Sequence, residues 1–163
     1  MTSVEDVAAL KTALAEEAQH YRQLLDVSRE HHEALLAGDR RGVERSLQRQ
    51  LQVVAGCRMS TEERRDQTDR LARQLGLGAP CTTGRVLAAL PGASEALRRE
   101  YDAMRAVSDE LAALNEQNQR LVTHRLDLLQ GDFEALGRLV REATGRGEGS
   151  GEPVEGSLVS ERA

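Results

Sequence analysis

Histidine and cysteine are the residues of this chain best suited to bind a metal or to act as a nucleophile. A metal site on a helix needs such residues at short, regular spacing, for example two histidines four positions apart. His31 and His32 are adjacent instead, so on a helix they point about 100° apart. The others have no acidic or thiol partner at a metal-like spacing: His20, His124, Cys57 and Cys81. We therefore predict no metal site and no cofactor.

Motifs for catalysis or phosphate binding are equally weak. The glycine pair in Gly76-Leu77-Gly78 follows no strand, whereas a nucleotide-binding loop requires one. No strand–turn–helix pattern supports a Ser-His-Asp set. The expected roles of Cys57 and Cys81 are a small buried hydrophobe and a free thiol. The sequence predicts that the protein is not an enzyme.

Two asparagines form a more informative pattern. Asn115 and Asn118 lie one turn apart within the apolar stripe of a long helical stretch, Leu111 to Val140. A polar residue in an apolar seam costs stability but selects one alignment of the helices. Alternatively, the two amides bind an incoming partner through its backbone. Spacing favours alignment over recognition.

Composition indicates which elements must position these residues. Aromatic residues make up 2% of the chain, Trp is absent and only three Pro occur, while Ala, Leu, Glu, Gln and Arg are abundant. Such residues favour helices and make poor sheets. We predict an all-α fold, an elongated antiparallel three-helix bundle or coiled coil with a short helix between helices 2 and 3.

Charge and targeting signals restrict the partners and the location. The net charge of −5 argues against nucleic acid, which needs clustered positive charge. Two cysteines are too few for a secreted disulfide framework. The N-terminus has no basic segment followed by an apolar one, and no window approaches the roughly 20 apolar residues of a membrane span. We therefore expect a cytoplasmic protein without a membrane span.

The helix signals predict four helices in one domain, residues 1–144. Their expected bounds are about 3–37, 39–75, 83–90 and 94–144. Ser3 and Ser94 begin helices, Gly38 ends one, Asp39 caps the next through its side chain, and Thr82 or Thr83 caps the short one. Residues 145–163 are rich in Gly and Glu without periodicity, which predicts a disordered tail.

The middle of the second helix has an unusually polar stripe. Between Arg58 and Arg70 few apolar residues occupy the inward positions. Charges such as those of Glu62 and Arg65 alternate in sign there. We expect this part to be held loosely, by charge pairs rather than by burial.

Helix lengths predict an uncovered segment. If the last helix packs beside the first two, about 37 residues from Ser94 to Gln130 match their length at 1.5 Å per residue. Cover then ends near Gly131, while Phe133, Leu136, Leu139 and Val140 still follow. These four side chains form the binding surface that the lengths indicate.

Three motifs occur together between about Val7 and Leu139. The first helix carries Tyr21-x-x-Leu24-Leu25-x-x-Ser28 and then Ala34-Leu35-x-x-Gly38-Asp39. The second carries Glu62-Glu63-Arg64-Arg65. The last carries Leu114-Asn115-x-x-Asn118-x-x-Leu121-Val122. Together these motifs resemble the FlgN-type flagellar export chaperones.

The resemblance implies a cytoplasmic chaperone for the hook-filament junction proteins FlgK and FlgL. It would keep their C-terminal helical segments soluble and deliver them to the flagellar export gate or ATPase complex, without hydrolysing ATP itself. The resemblance also implies that the C-terminal part of the last helix binds the substrate. Family members can carry a gate-contacting aromatic residue in the tail, whereas this chain has none after Ala143.

Our leading hypothesis is therefore a chaperone that receives an amphipathic helix on its last helix. The predicted substrate-protein-binding residues are Asn115, Asn118, Leu121, Val122, Leu129, Phe133, Leu136, Leu139 and Val140. The alternative is a structural coiled-coil scaffold that covers the same residues by self-association, as a homodimer.

Overall fold

The computed structural model describes residues 4–90 and 95–145. Within these ranges the chain forms helices and no strand: α1 (Val4–Ala37), α2 (Arg40–Gln74), α3 (Thr83–Ala89) and α4 (Glu95–Gly145). The expected bounds agree to within one residue, and the all-α helical class is confirmed. The predicted caps Ser3 and Ser94, and the predicted tail beyond Gly145, lie outside the described residues.

Glycine ends both long helices of the first hairpin in the same way. Gly38 has a φ of 70°, a conformation that glycine adopts without a steric penalty, and the Asp39 N–H donates to Ala34 O at 3.0 Å. Gly76 has a φ of 69° and ends α2 with an equivalent set of bonds. Because the α1–α2 connection spans only two residues, the helices run antiparallel.

The two predicted side-chain caps have different outcomes. Thr82 precedes α3 and its hydroxyl accepts the Arg85 N–H at 3.3 Å, so that prediction is confirmed. Asp39 precedes α2, but its side chain makes no capping hydrogen bond. Its carboxylate instead approaches Arg45 Nη2 at 3.6 Å. The predicted side-chain cap at Asp39 is therefore wrong, because the carboxylate has turned towards a nearby cation.

The chain divides into two compact units, Met1–Val122 and Thr123–Ala163, whereas the sequence predicts one domain up to residue 144. We call them the bundle unit and the terminal unit. The bundle unit contains α1 to α3 and the first part of α4. The terminal unit is described from Thr123 to Gly145, the rest of α4.

An apolar core joins the helices of the bundle unit. Leu10 and Leu14 of α1, Leu71 of α2, Val86 of α3 and Leu97 of α4 are completely buried in it. All four helices of this unit therefore contribute to the same core. No helix in the described ranges is both long and apolar enough to cross a bilayer.

A buried polar layer crosses the middle of the α1–α2 hairpin. Glu17 is fully buried, and its Oε1 accepts hydrogen bonds from Thr61 Oγ1 at 2.7 Å and from Tyr21 Oη at 3.0 Å. Its Oε2 pairs with Arg64 Nε, and Arg64 Nη1 donates to Thr83 Oγ1 at 2.8 Å. The carboxylate is thus fully partnered, as a buried charge requires.

The expected charge pair is present between Arg64 and Glu17, but the expectation that this middle is held loosely and without burial is wrong. Polar residues of α2 in this region are buried, among them Ser60, Gln67 and Thr68. Burial also raises the pKa of Tyr21, and the neighbouring Glu17 carboxylate acts in the same direction. Thr61 and Arg64 of this stripe bond to the Glu17 carboxylate on α1. Ser60 and Gln67 bond within α2, and Thr68 bonds to α2 and to Thr83.

A second polar contact joins the same helices near their connection. His31 is buried, and its Nδ1 lies 2.9 Å from Ser46 Oγ. The Ser46 hydroxyl donates to Val43 O at 2.9 Å, so the histidine must donate to the serine through Nδ1–H. Burial lowers the pKa of His31, and the adjacent His32 adds to this effect.

Candidate functional site

In the bundle unit, α4 buries one residue every seven positions. We call this set the buried series: Leu97, Met104, Leu111 and Asn118. A seven-residue repeat keeps one face of a helix against its neighbours over several turns. This part of α4 therefore uses its apolar residues to complete the bundle.

The two asparagines differ in burial and in hydrogen bonding. Asn118 is 6% exposed, and its Nδ2 donates to Ser28 O at 3.2 Å. Its Oδ1 lies 2.7 Å from His32 Nδ1, which must be the donor because a carbonyl oxygen only accepts. Asn115 is exposed. The Asn118 amide is thus occupied inside the bundle unit, which matches the alternative of helix alignment, so the surface proposed below omits this residue.

Cover of α4 within the bundle unit decreases after Asn118. Leu121 is half-buried and Val122 is 39% exposed. The bonds of Asn118 to Ser28 and His32 place it close to the end of α1 at Ala37. Cover therefore ends near Val122, about two and a half turns before Gly131, the position predicted from the helix lengths. The helices are aligned differently from what equal lengths would suggest.

The terminal unit exposes large apolar side chains along its helix. We call them the terminal apolar face: Leu126, Leu128, Leu129, Phe133, Leu136, Leu139 and Val140. Phe133 is 72% exposed and Leu136 is 56% exposed. The five predicted binding residues from Leu129 to Val140 all belong to this face. Sequence reasoning missed Leu126, although it precedes Phe133 by seven positions.

Most of this face follows heptad spacing. The steps are alternately three and four residues through Leu126, Leu129, Phe133, Leu136 and Val140. This spacing produces a straight apolar seam of the kind that a second helix packs against in a coiled coil. We call these five residues the terminal seam.

The buried series of the bundle unit does not continue into the terminal seam. Steps of seven from Asn118 lead to Arg125 and Asp132, which are charged and exposed. The terminal seam is instead displaced by one position, to Leu126 and Phe133. The apolar stripe of α4 thus shifts around the helix where the buried part ends.

One side of the terminal seam borders an open groove. Its apolar part is lined by Leu126, Leu129, Phe133 and Gly137. Its polar part is lined by Gln130, Glu134, Arg138 and Arg141. Gln130 Nε2 donates to Glu134 Oε1 at 3.2 Å along this rim. The groove combines an apolar wall with a charged edge, an arrangement suited to an amphipathic helix.

Comparison with known proteins identifies the family. The family model described as FlgN protein matches residues 1–148. The chain belongs to the FlgN family. No curated protein and no solved structure matches it.

FlgN proteins act in general as flagellar export chaperones of the type III pathway and are not known as enzymes. The residues of this FlgN chain that could act as nucleophiles or metal ligands have surroundings that serve packing. Burial raises the pKa of Cys57, which keeps its thiol protonated and poorly reactive. In residues 4–90 and 95–145, His, Cys, Asp and Glu do not cluster in threes that could hold a metal ion.

Proposed function

We propose that this FlgN-family chaperone binds the C-terminal helical segments of the hook-filament junction proteins, FlgK and FlgL, on the terminal apolar face. The observation that carries the proposal is the exposure of seven large apolar side chains on about four turns of helix. Apolar patches of this kind commonly mark sites of protein interaction. The guest helix would lie along the terminal seam, and covering it would keep its own apolar face out of water.

The energetics require that the guest cover most of the face. Full burial of one exposed side chain contributes about 1.5–3 kcal/mol. The seven are 53–72% exposed, so covering what remains contributes roughly 6–13 kcal/mol before costs. Association itself costs about 4–15 kcal/mol, with further loss of side-chain freedom. Covering only Phe133, Leu136, Leu139 and Val140 would contribute about 4–8 kcal/mol and leave little surplus.

Guest contact by three predicted residues of the bundle unit stays a prediction. Asn115 is exposed, Val122 is partly exposed and Leu121 is half-buried. We also propose that the chaperone works in the cytoplasm and hands its guest to the export gate or ATPase complex. The family's general role in flagellar export supports this proposal.

Isothermal calorimetry with C-terminal FlgK and FlgL peptides tests the binding surface. Phe133→Glu and Leu136→Glu should abolish binding, because each places a charge in the apolar contact. The matched control is His124→Glu, an exposed position on the polar side of the same helix. Full affinity in both seam variants would show that the guest binds elsewhere.

Self-association is the second candidate, because heptad spacing also suits a homodimeric coiled coil. Light scattering of the protein alone and with peptide separates the two. A monomer that becomes a one-to-one complex supports the chaperone, whereas a stable dimer that excludes the peptide supports the scaffold.

A further inference from the structure

Gly137 is a small residue in a row of large side chains. It is half-buried and lines the groove beside Phe133. A Cβ built at this position would meet only Arg141 Nη1, at 3.6 Å, which is ordinary contact. Its φ is not positive, since the positive-φ glycines of the described residues are Gly38 and Gly76. The chain's own packing therefore has room for alanine here, and glycine weakens a helix interior relative to alanine.

Coiled-coil geometry gives this glycine a specific place. A side chain from a partner helix enters a hole formed by four residues at positions i, i+3, i+4 and i+7. Phe133, Leu136, Gly137 and Val140 form such a set.

The preceding hole provides a comparison within the same helix. It consists of Leu126, Leu129, Gln130 and Phe133, so Gln130 occupies the position that Gly137 holds in the next one. The hole at Gly137 is therefore the deeper of the two, because its fourth member has no side chain.

The rim of the deeper hole carries a charge preference. Arg141 reaches the hole, because its Nη1 lies 3.6 Å from a Cβ built at Gly137. The nearby Glu134 carboxylate already accepts a hydrogen bond from Gln130. The Arg141 guanidinium therefore favours an acidic side chain on the partner. A second copy of this chain would bring the same arginine to the contact, so a different, acidic partner suits the rim better.

We propose that Gly137 determines which guest helix this surface accepts. The guest inserts a large apolar side chain, such as Leu, Met or Phe, into the hole beside Phe133. An acidic residue on the guest lies next to that side chain and pairs with Arg141. This inference rests on the proposed function and defines the guest as an amphipathic helix with a bulky apolar residue flanked by acid.

Gly137→Ala and Gly137→Leu test the hole against a matched control, Gly131→Ala. Gly131 lies on the polar side of the same helix, with no atom within 4 Å of a Cβ built there. Gly137→Ala and Gly131→Ala should both strengthen the helix, and circular dichroism of the full-length variants measures that effect. In calorimetry with the FlgK and FlgL peptides, Gly137→Ala should weaken binding about fivefold and Gly137→Leu about 100-fold, because filling a packed site is unfavourable. Gly131→Ala should bind as well as the wild type or more tightly.

Each other result overturns the proposal. If Gly137→Ala binds more tightly, as Gly131→Ala does, the glycine only weakens the helix. If Phe133→Glu abolishes binding while both Gly137 variants keep it, the proposed binding surface is supported and the proposed role of Gly137 is contradicted. If the wild type binds neither peptide, the proposed function fails together with the hole. A wild-type dimer that Gly137→Leu dissociates would assign the hole to a second copy of the chain.

Discussion

The two parts of α4 carry apolar residues at the same seven-residue spacing and use them in opposite ways. In the bundle unit, Leu97, Met104 and Leu111 are buried against the other helices. In the terminal unit, Leu126 and Phe133 are exposed. Heptad spacing therefore indicates that a helix has a packing face, but it does not identify the partner. In one part the partner belongs to the same chain, and in the other we propose that it is an export substrate.

The largest expected effect is a loss of stability in the bundle unit when its buried ion pair is disrupted. Arg64→Met removes the cation beside fully buried Glu17 and should lower the free energy of unfolding by about 3–5 kcal/mol. Urea denaturation measures it. Replacing Glu17 and Arg64 together by Met should recover most of the loss, because no charge is then left unpaired. An unchanged midpoint for Arg64→Met alone would show that the pair contributes nothing.

Replacing one leucine by alanine in each part of α4 tests the comparison directly. Leu97→Ala leaves a cavity in the core and should lower the free energy of unfolding by about 2–5 kcal/mol. Leu136→Ala alters an exposed side chain and should change it by less than about 0.5 kcal/mol. Denaturant titration of both variants gives the two values. A large loss for Leu136→Ala would mean that the isolated protein already covers the terminal apolar face.

The asparagine pair sharpens the boundary between the two parts. Asn118→Ala removes two hydrogen bonds inside the bundle unit and should cost about 1–2 kcal/mol of stability. Asn115→Ala, at an exposed position one turn earlier, should cost less than about 0.5 kcal/mol. Thermal unfolding of the two variants compares them. Equal effects would argue that Asn118 does not align the helices.

The smallest expected effect is a pH dependence that belongs to the bundle unit alone. Because burial lowers the pKa of His31 in the folded chain, the unfolded chain binds a proton first as the pH falls. The stability that neutral His31 supports is complete well above pH 6.5 and is lost as the pH falls through and below that value. Wild type should therefore lose more stability than His31→Gln between pH 7.5 and 5.5 in urea titrations. Parallel losses would exclude His31 as the titrating group.

Much of the local structure was predictable from the sequence. Gly38 marked the end of α1 because a left-handed turn after a helix favours glycine, and Thr82 marked the start of α3 because its hydroxyl reaches a free N–H three residues on. The exposed Phe133 and Leu136 were predictable from helix lengths. The same lengths placed the end of cover wrongly, since they carry no information about the alignment of the helices.

The sequence by itself determined where helices begin and end and which face of α4 is apolar, because those features depend on residues a few positions apart. Only the tertiary structure decided which apolar and polar residues are covered. Glu17 and Arg64 are 47 positions apart, and Asn118 and Ser28 are 90 positions apart. Burial and pairing at such separations depend on how whole helices align, and that alignment is set by the sum of many weak contacts across the core.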